Sequence, residues 1–339
     1  MVRQDVPPAT GRPPAPPAAP TAGGPASRPP AASATSPASA PATGLEERPS
    51  GGTRWFTERE LPHGRPGIAI QVEIDAVLHD ERSRWGHIQV FDTPFHGRML
   101  VLDGVIQTTE RDEFVYHEML VLTPSIQHGA PETMLVVGGG DGGALRQALR
   151  LRSLRRVVQV EIDDAVTRVC REHLPTVSGG AFDDPRVELV FADGADYLAA
   201  GPGGFDVLVL DLTDPVPGGP AERLFETELL ADARRALAPG GVLAMQCGSL
   251  TMQPDEVRTQ LRRLGEVFGS IRLHTAVVPG YQLTTFGFLL AAEHPLDEPA
   301  PAELAARWAN VSGDCDYLSP EMYRASAALP PYLRRLLAS

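Results

Sequence analysis

Apolar and polar positions fall into three regimes along the chain. Residues 1–50 show no periodicity; they are Pro, Ala, Gly, Ser and Thr with almost no large apolar side chain. Such a segment cannot bury enough surface to offset its ordering entropy, so a disordered tail is predicted there. From 51 to 122 the pattern is one of short strands. Ile68-Ala-Ile-Gln-Val-Glu-Ile74 and His87-Ile-Gln-Val-Phe91 alternate, and Gly97-Arg-Met-Leu-Val-Leu-Asp-Gly104 ends in a turn signal. This reads as a small antiparallel β domain, closed by a helical stretch from Glu110 to Leu122.

From 123 to 339 the period changes. Met134-Leu-Val-Val137 is a continuous apolar run, as expected for a parallel strand covered on both faces. Val157-Val-Gln-Val160, Val187-Glu-Leu-Val190, Val207-Leu-Val-Leu210 and Val242-Leu-Ala-Met245 continue the series, with helical stretches between them. Pro239-Gly-Gly241 is a helix stop before a strand. Alternating β and α segments predict an α/β fold with a Rossmann-like, doubly wound parallel sheet.

Composition removes several functions. The 339 residues carry a formal net charge of −13 and no basic block, which argues against nucleic acid or an anionic membrane as partner. All 30 basic residues are Arg. Without a lysine there is no Schiff-base or pyridoxal-phosphate chemistry and no Walker-type phosphate loop. Cys170, Cys247 and Cys315 are far apart and form no metal-binding pair, so no metal is expected. No apolar run reaches the ~18 residues of a membrane span, and the first residues lack the apolar core of a signal peptide. The expectation is a cytoplasmic protein.

Candidate chemistry lies at the strand ends. Gly138-Gly-Gly-Asp-Gly-Gly143 follows a strand and opens a helix, where glycines let a ligand approach the backbone and the helix start offers N–H groups. Glu161, about twenty residues on, is placed for ribose hydroxyls. Asp193-Gly194 follows a third strand and is placed for an adenine edge, though Asp193 reads equally as a helix cap before Ala195. Asp141 narrows the ligand: a carboxylate there would repel a dinucleotide's pyrophosphate and attract a sulfonium or ammonium. Two unit charges ~4 Å apart are worth several kcal/mol at an effective dielectric near 20. Asp211-Leu-Thr-Asp-Pro215 ends another strand and faces the same crevice. Three carboxylates around one cleft are costly without a cation between them, which makes a di- or polyamine acceptor plausible. An isolated Asp-x-x-Asp-Pro more commonly marks a turn and helix cap, and Thr108 to Glu118 can be read as a solvated helix start.

Together these segments resemble the spermidine synthase (polyamine aminopropyltransferase) family. The resemblance runs from Trp55-Phe-Thr to the C-terminus. It is carried by Leu102-Asp-Gly-Val-Ile-Gln-Thr-Thr-Glu-Arg-Asp-Glu-Phe-Val-Tyr-His-Glu118, by Val136-Val-Gly-Gly-Gly-Asp-Gly-Gly143 and by the Asp-x-x-Asp-Pro at 211–215. Asp183-Asp-Pro-Arg-Val187 and Tyr317-Leu-Ser-Pro-Glu321 also fit. The resemblance implies a small N-terminal β domain, a Rossmann-like (class I methyltransferase-like) catalytic domain and a homodimer or homotetramer. It implies decarboxylated S-adenosylmethionine as co-substrate, with no permanently bound cofactor. Gln107, Gly138, Gly140, Asp141, Glu161, Asp193 and Gly194 would meet that donor. His117, Asp141, Asp214 and Tyr281 would hold the amine, and Asp211 with Tyr116 would take its proton.

The chain also departs from the family pattern. The loop 215–221 is two residues longer than the usual gate. Gln246-Cys-Gly-Ser249 lacks a carboxylate at Gly248, and Pro279-Gly-Tyr-Gln-Leu-Thr284 replaces Pro-Thr-Tyr-Pro-Ser-Gly. A donor-binding Gln found in some members is absent near Trp85-Gly-His87. The expected activity is aminopropyl transfer to putrescine or a related amine. The competing readings are an S-adenosylmethionine-dependent methyltransferase and a non-catalytic polyamine-binding protein of the same fold.

Overall fold

A computed structural model describes residues 44–47, 54–59, 68–213, 226–281 and 284–338. Two small antiparallel sheets come first. β1 (Gly44–Glu47), β2 (Arg54–Arg59) and β3 (Ala69–Ile74) form one, and β4 (Ala76–Arg82), β5 (His87–Thr93), β6 (Gly97–Leu102) and β7 (Val105–Thr109) form the other. Residues 44–47, assigned above to the tail, pair with β2 through Leu45 opposite Phe56. Backbone hydrogen bonding there outweighs a composition that predicts disorder. The rest of the expected tail lies outside the described residues.

The large sheet uses β8 (Thr133–Gly138), β9 (Arg156–Glu161), β10 (Val187–Phe191), β11 (Phe205–Asp211), β12 (Leu237–Ser249), β13 (Ser270–Val277) and β14 (Thr285–Ala292) in the order β10-β9-β8-β11-β12-β14-β13. The first five strands are parallel, and β14 and β13 run antiparallel at one edge. The sheet is therefore mixed rather than wholly parallel, because β13 and β14 are joined as a hairpin instead of by a crossover helix.

Burial of both faces explains the continuous apolar runs. Met134, Val136, Val207 and Val209 pack into one core, and Leu135, Val137, Leu208 and Leu210 into the other. A third cluster joins Ile88, Val90 and Leu100 of the small sheet to Val166, Val169 and Cys170 of the helix Asp164–His173. This packing fixes the small sheet over the strand ends of the large one.

The predicted helix at 110–122 begins at Glu113 and becomes a single π-helical turn at Glu118–Leu122 before α-helix resumes at Thr123–His128. Such turns are frequent at functional sites. Glu118 is fully buried and anchors the C-terminal segment. Its carboxylate accepts backbone N–H groups from Asp316, Tyr317 and Leu318 at 2.9, 3.0 and 2.8 Å. Arg150 lies 3.5 Å away.

Glu118→Ala should lower unfolding free energy by roughly 3 kcal/mol, since three N–H donors and a guanidinium lose a buried anion. Urea denaturation measures this, and an unchanged midpoint would show that the clamp contributes nothing to stability.

Candidate active site

One cavity of about 220 Å³ opens at the carboxyl ends of β8, β9 and β11 and under the small sheet. The glycine loop after β8 sets its floor. Gly138 has φ +85°, and a side chain there would meet the Asp211 carbonyl oxygen 2.0 Å away. The next residue's N–H donates to that same oxygen at 3.0 Å, stapling the loop to the end of β11. Gly140 leaves the space that Glu161 occupies: its Cβ would stand 2.8 Å from that carboxylate.

Most predicted site residues converge here. Gln107, Tyr116, His117, Gly138, Gly140, Asp141, Glu161, Gly194, Asp211 and Tyr281 all line the cavity. Asp193 does not: its carboxylate caps the helix Gly194–Ala199, accepting N–H groups from Ala195 and Asp196, so the capping reading describes what its side chain does. Asp214 and the loop 215–221 lie outside the described residues, as do Gln282 and Leu283 beside Tyr281.

Within the cavity Tyr116 donates its hydroxyl to Asp211 at 2.8 Å. Tyr281 stands edge-on to Tyr116 at 5.6 Å and donates to the Gln107 carbonyl. Asp141 accepts the Gly143 N–H at 2.8 Å and lies 3.5 Å from His117 Nε2. The His117 ring occupies the place of a side chain at Gly143, where a Cβ would come within 2.2 Å of it.

Electrostatics divides these groups. Burial, reinforced by the negative charge of Asp141, pushes Asp211 up to about 6, against the cationic His117 and the Tyr116 hydrogen bond. Burial likewise pushes Glu161 up to about 7, despite N–H bonds from Asp163 and Ile162. Asp141 goes the other way: burial would raise it, but His117 and the Gly143 N–H hold it below the usual carboxylate range. Burial would lower His117, yet Asp141 and Glu113 together hold it protonated well above its ordinary value. Burial and the Asp211 charge raise Tyr116, so its hydroxyl stays protonated.

Sequence reasoning missed part of the wall. Glu58, Trp85, Asp103, Asp163, Gln246, Ser249 and Gln253 also line the cavity. Glu58 is 3% exposed and accepts the Ile106 N–H. Its signal was legible: on an alternating strand it shares the face of Phe56, a core residue, and a carboxylate at a core-facing position needs a reason. Gln246 donates to the Leu212 carbonyl and accepts the Gly248 N–H at 2.7 Å. Gly248, noted above for its missing carboxylate, has φ +73°, a conformation that favours glycine.

Residues 113–299 match the spermine/spermidine synthase domain, and residues 54–110 match the spermidine synthase tetramerisation domain. A polyamine aminopropyltransferase of Erwinia tasmaniensis is 37% identical over 273 residues, covering 80% of this chain and 95% of that protein. Polyamine aminopropyltransferase 1 of Pseudomonas aeruginosa is 40% identical over 268 residues, covering 79% and 93%. A crystal structure of spermidine synthase in complex with the transition state analogue AdoDATO superposes with a TM-score of 0.77 at 29% identity, covering 87% of this chain and 97% of that one. Spermidine synthase from Thermotoga maritima gives 0.74 at 28% identity, covering 84% and 94%.

The raised carboxylates make a stability prediction. Their native proton affinities exceed those of the unfolded chain, about 3.9 for Asp and 4.3 for Glu. Stability from these groups is thus full below about pH 4 and is lost as pH rises through about 6 for Asp211 and about 7 for Glu161. Asp211→Asn and Glu161→Gln should each stabilise the ligand-free protein at pH 8 and leave it nearly unchanged at pH 4. The gain is on the order of 1 kcal/mol, because both groups are only half-buried and water screens them. Thermal unfolding across pH 4–8 reads it; a lower Tm at pH 8 would contradict the assigned strain.

Proposed function

This chain belongs to the spermine/spermidine synthase family, and from that membership we propose that it transfers an aminopropyl group from decarboxylated S-adenosylmethionine to an amine. The products are methylthioadenosine and a longer polyamine. The observation that carries the reading is the pair of carboxylates Asp141 and Asp211 facing one cavity from neighbouring strand ends, with Tyr116 hydrogen-bonded to Asp211 at 2.8 Å. A cationic sulfonium and a cationic amine relieve the strain that the empty rim carries.

In this reading the nucleoside lies over the loop 138–140, with Glu161 at its ribose and Gly194 at its base. The donor's terminal ammonium meets Asp141, whose carboxylate the His117 cation faces at 3.5 Å. Glu58 and Gln246 face the distal end of the acceptor, Tyr281 completes its wall, and the family resemblance assigns Asp214 to the same amine. A free alkylamine is mostly protonated at pH 7, so the nucleophile must first lose a proton. Asp211, raised to about 6, accepts it. The Tyr116 hydroxyl, held protonated, orients that carboxylate rather than taking the proton itself. The nitrogen then forms its bond to the aminopropyl carbon as the carbon–sulfur bond breaks, and the sulfonium becomes a neutral thioether. Positioning and desolvation supply the protein's share of the rate. Methyl transfer from intact S-adenosylmethionine is disfavoured, because the extra α-carboxylate would have to sit against Asp141.

Residues 51–122 would then serve assembly and 123–339 catalysis. The match of residues 54–110 to a tetramerisation domain supports an oligomer, and a homotetramer over a homodimer. Among the described residues no helix is long and apolar enough to cross a membrane, which fits a cytoplasmic enzyme.

A panel of amines with decarboxylated donor, read as methylthioadenosine by mass, tests the function. Putrescine should be turned over best, then agmatine or a longer polyamine. Release with none of them would sink the proposal. Asp211→Asn should lower kcat by about 10²–10⁴-fold while donor affinity changes by only a few-fold; equal losses in both would count against Asp211 as the base.

A further inference from the structure

Behind the rim four charged side chains stand in series. Arg146, on the helix Gly143–Ala148, donates through one guanidinium nitrogen to Glu113 Oε1 and through the other to the Thr176 carbonyl. Glu113 Oε2 lies 2.7 Å from His117 Nδ1, one helical turn on. His117 Nε2 faces Asp141 Oδ1 at 3.5 Å. Glu113 is 5% exposed and His117 2%. Only the inner two members of this chain, His117 and Asp141, touch the cavity; Glu113 and Arg146 do not line it.

A carboxylate this deeply buried needs a paired charge and hydrogen bonds, and Glu113 has a cation on each side, Arg146 and His117. Its hydrogen bond holds the Nδ1 side of the imidazolium and turns the Nε2 N–H toward Asp141. The ring cannot rotate away, because its face fills the space left by the missing side chain of Gly143. The charges facing His117 are Glu113 on its own helix, Asp141 on the glycine loop and Asp211 at the end of β11, with Arg146 behind Glu113 and the neutral Tyr116 beside it.

We infer that Glu113 and Arg146 are positioning residues for the donor's terminal amine: they hold the His117 cation against Asp141 and so fix the carboxylate that receives that amine. This rests on the aminopropyl-transfer reading for the identity of the ligand. Loss of the Glu113 charge leaves Arg146 and His117 as two cations without the anion between them, which disfavours an ammonium at the rim. The same change leaves the nucleoside contacts alone.

The test uses two probes, decarboxylated S-adenosylmethionine and methylthioadenosine, which share the nucleoside and differ in the aminopropyl group. Each is titrated calorimetrically into the full-length, ligand-free protein at pH 7.5 with no amine acceptor. Wild type should bind the aminopropyl compound more tightly. Glu113→Gln should weaken it at least tenfold while methylthioadenosine stays within twofold. Arg146→Gln, at the partly exposed outer end, should act in the same direction by three- to tenfold, and it carries the test if Glu113→Gln does not fold. Equal weakening of both compounds would reduce the pair to a structural role and overturn the inference. So would unchanged affinities, or a wild type that does not distinguish the two compounds. Failure of every amine to react, with the binding ratios as stated, would reject the transferase reading and leave the positioning assignment standing.

Discussion

Repulsion between carboxylates held at neighbouring strand ends is the constraint on which this site depends. β8 and β11 are adjacent and parallel, so Asp141 and Asp211 leave the sheet on the same side. The hydrogen bond from Gly139 N–H to the Asp211 carbonyl locks the two turns together. The negative charge is therefore held at hydrogen-bonded strand ends, where little reorganisation is needed on ligand binding.

Within that constraint the two acids are given opposite characters by their surroundings. Asp141 has the His117 cation and a backbone N–H, and remains a carboxylate. Asp211 has a neutral hydroxyl and an apolar surround, and is raised toward neutrality. Two carboxyl groups of similar intrinsic acidity thus become a permanent anion and a base whose affinity for a proton is matched to its task. The cost appears as lost stability above pH 6, a common feature of sites shaped for a ligand rather than for the empty fold.

Three successive residues connect this site to the rest of the molecule. Tyr116 reaches Asp211, His117 reaches Asp141, and Glu118 anchors the segment 316–318. The π-helical turn begins at Glu118 itself, so the helix changes register at the last of these three residues. Packing of the helix Asp164–His173 against β5 and β6 holds their sheet as a roof from which Asp103 and Gln107 enter the cavity, while Glu58 enters from β2 of the other small sheet.

The sequence by itself determined the sheet and most of its rim. Apolar runs of the right length, three of them followed directly by Gly138, Glu161 or Asp211, state both that strands are buried on two faces and where their ligand-facing ends lie; Asp141 follows from the glycine loop after the first. Only the tertiary structure decided what non-local pairing controls. The hairpin β13–β14 makes the sheet mixed because β14 pairs with β12, a choice no window of sequence contains. The sequence left Asp193 open between a ligand contact and a helix cap; its carboxylate caps the helix Gly194–Ala199, a use of a short polar side chain that only its surroundings reveal. Glu58 was overlooked because its strand lies about 150 residues before Asp211, and one cavity unites them only after the small sheet docks. The proton affinities of Asp211 and Glu161 were likewise beyond the sequence, because they arise from burial and from neighbours that the fold alone brings near.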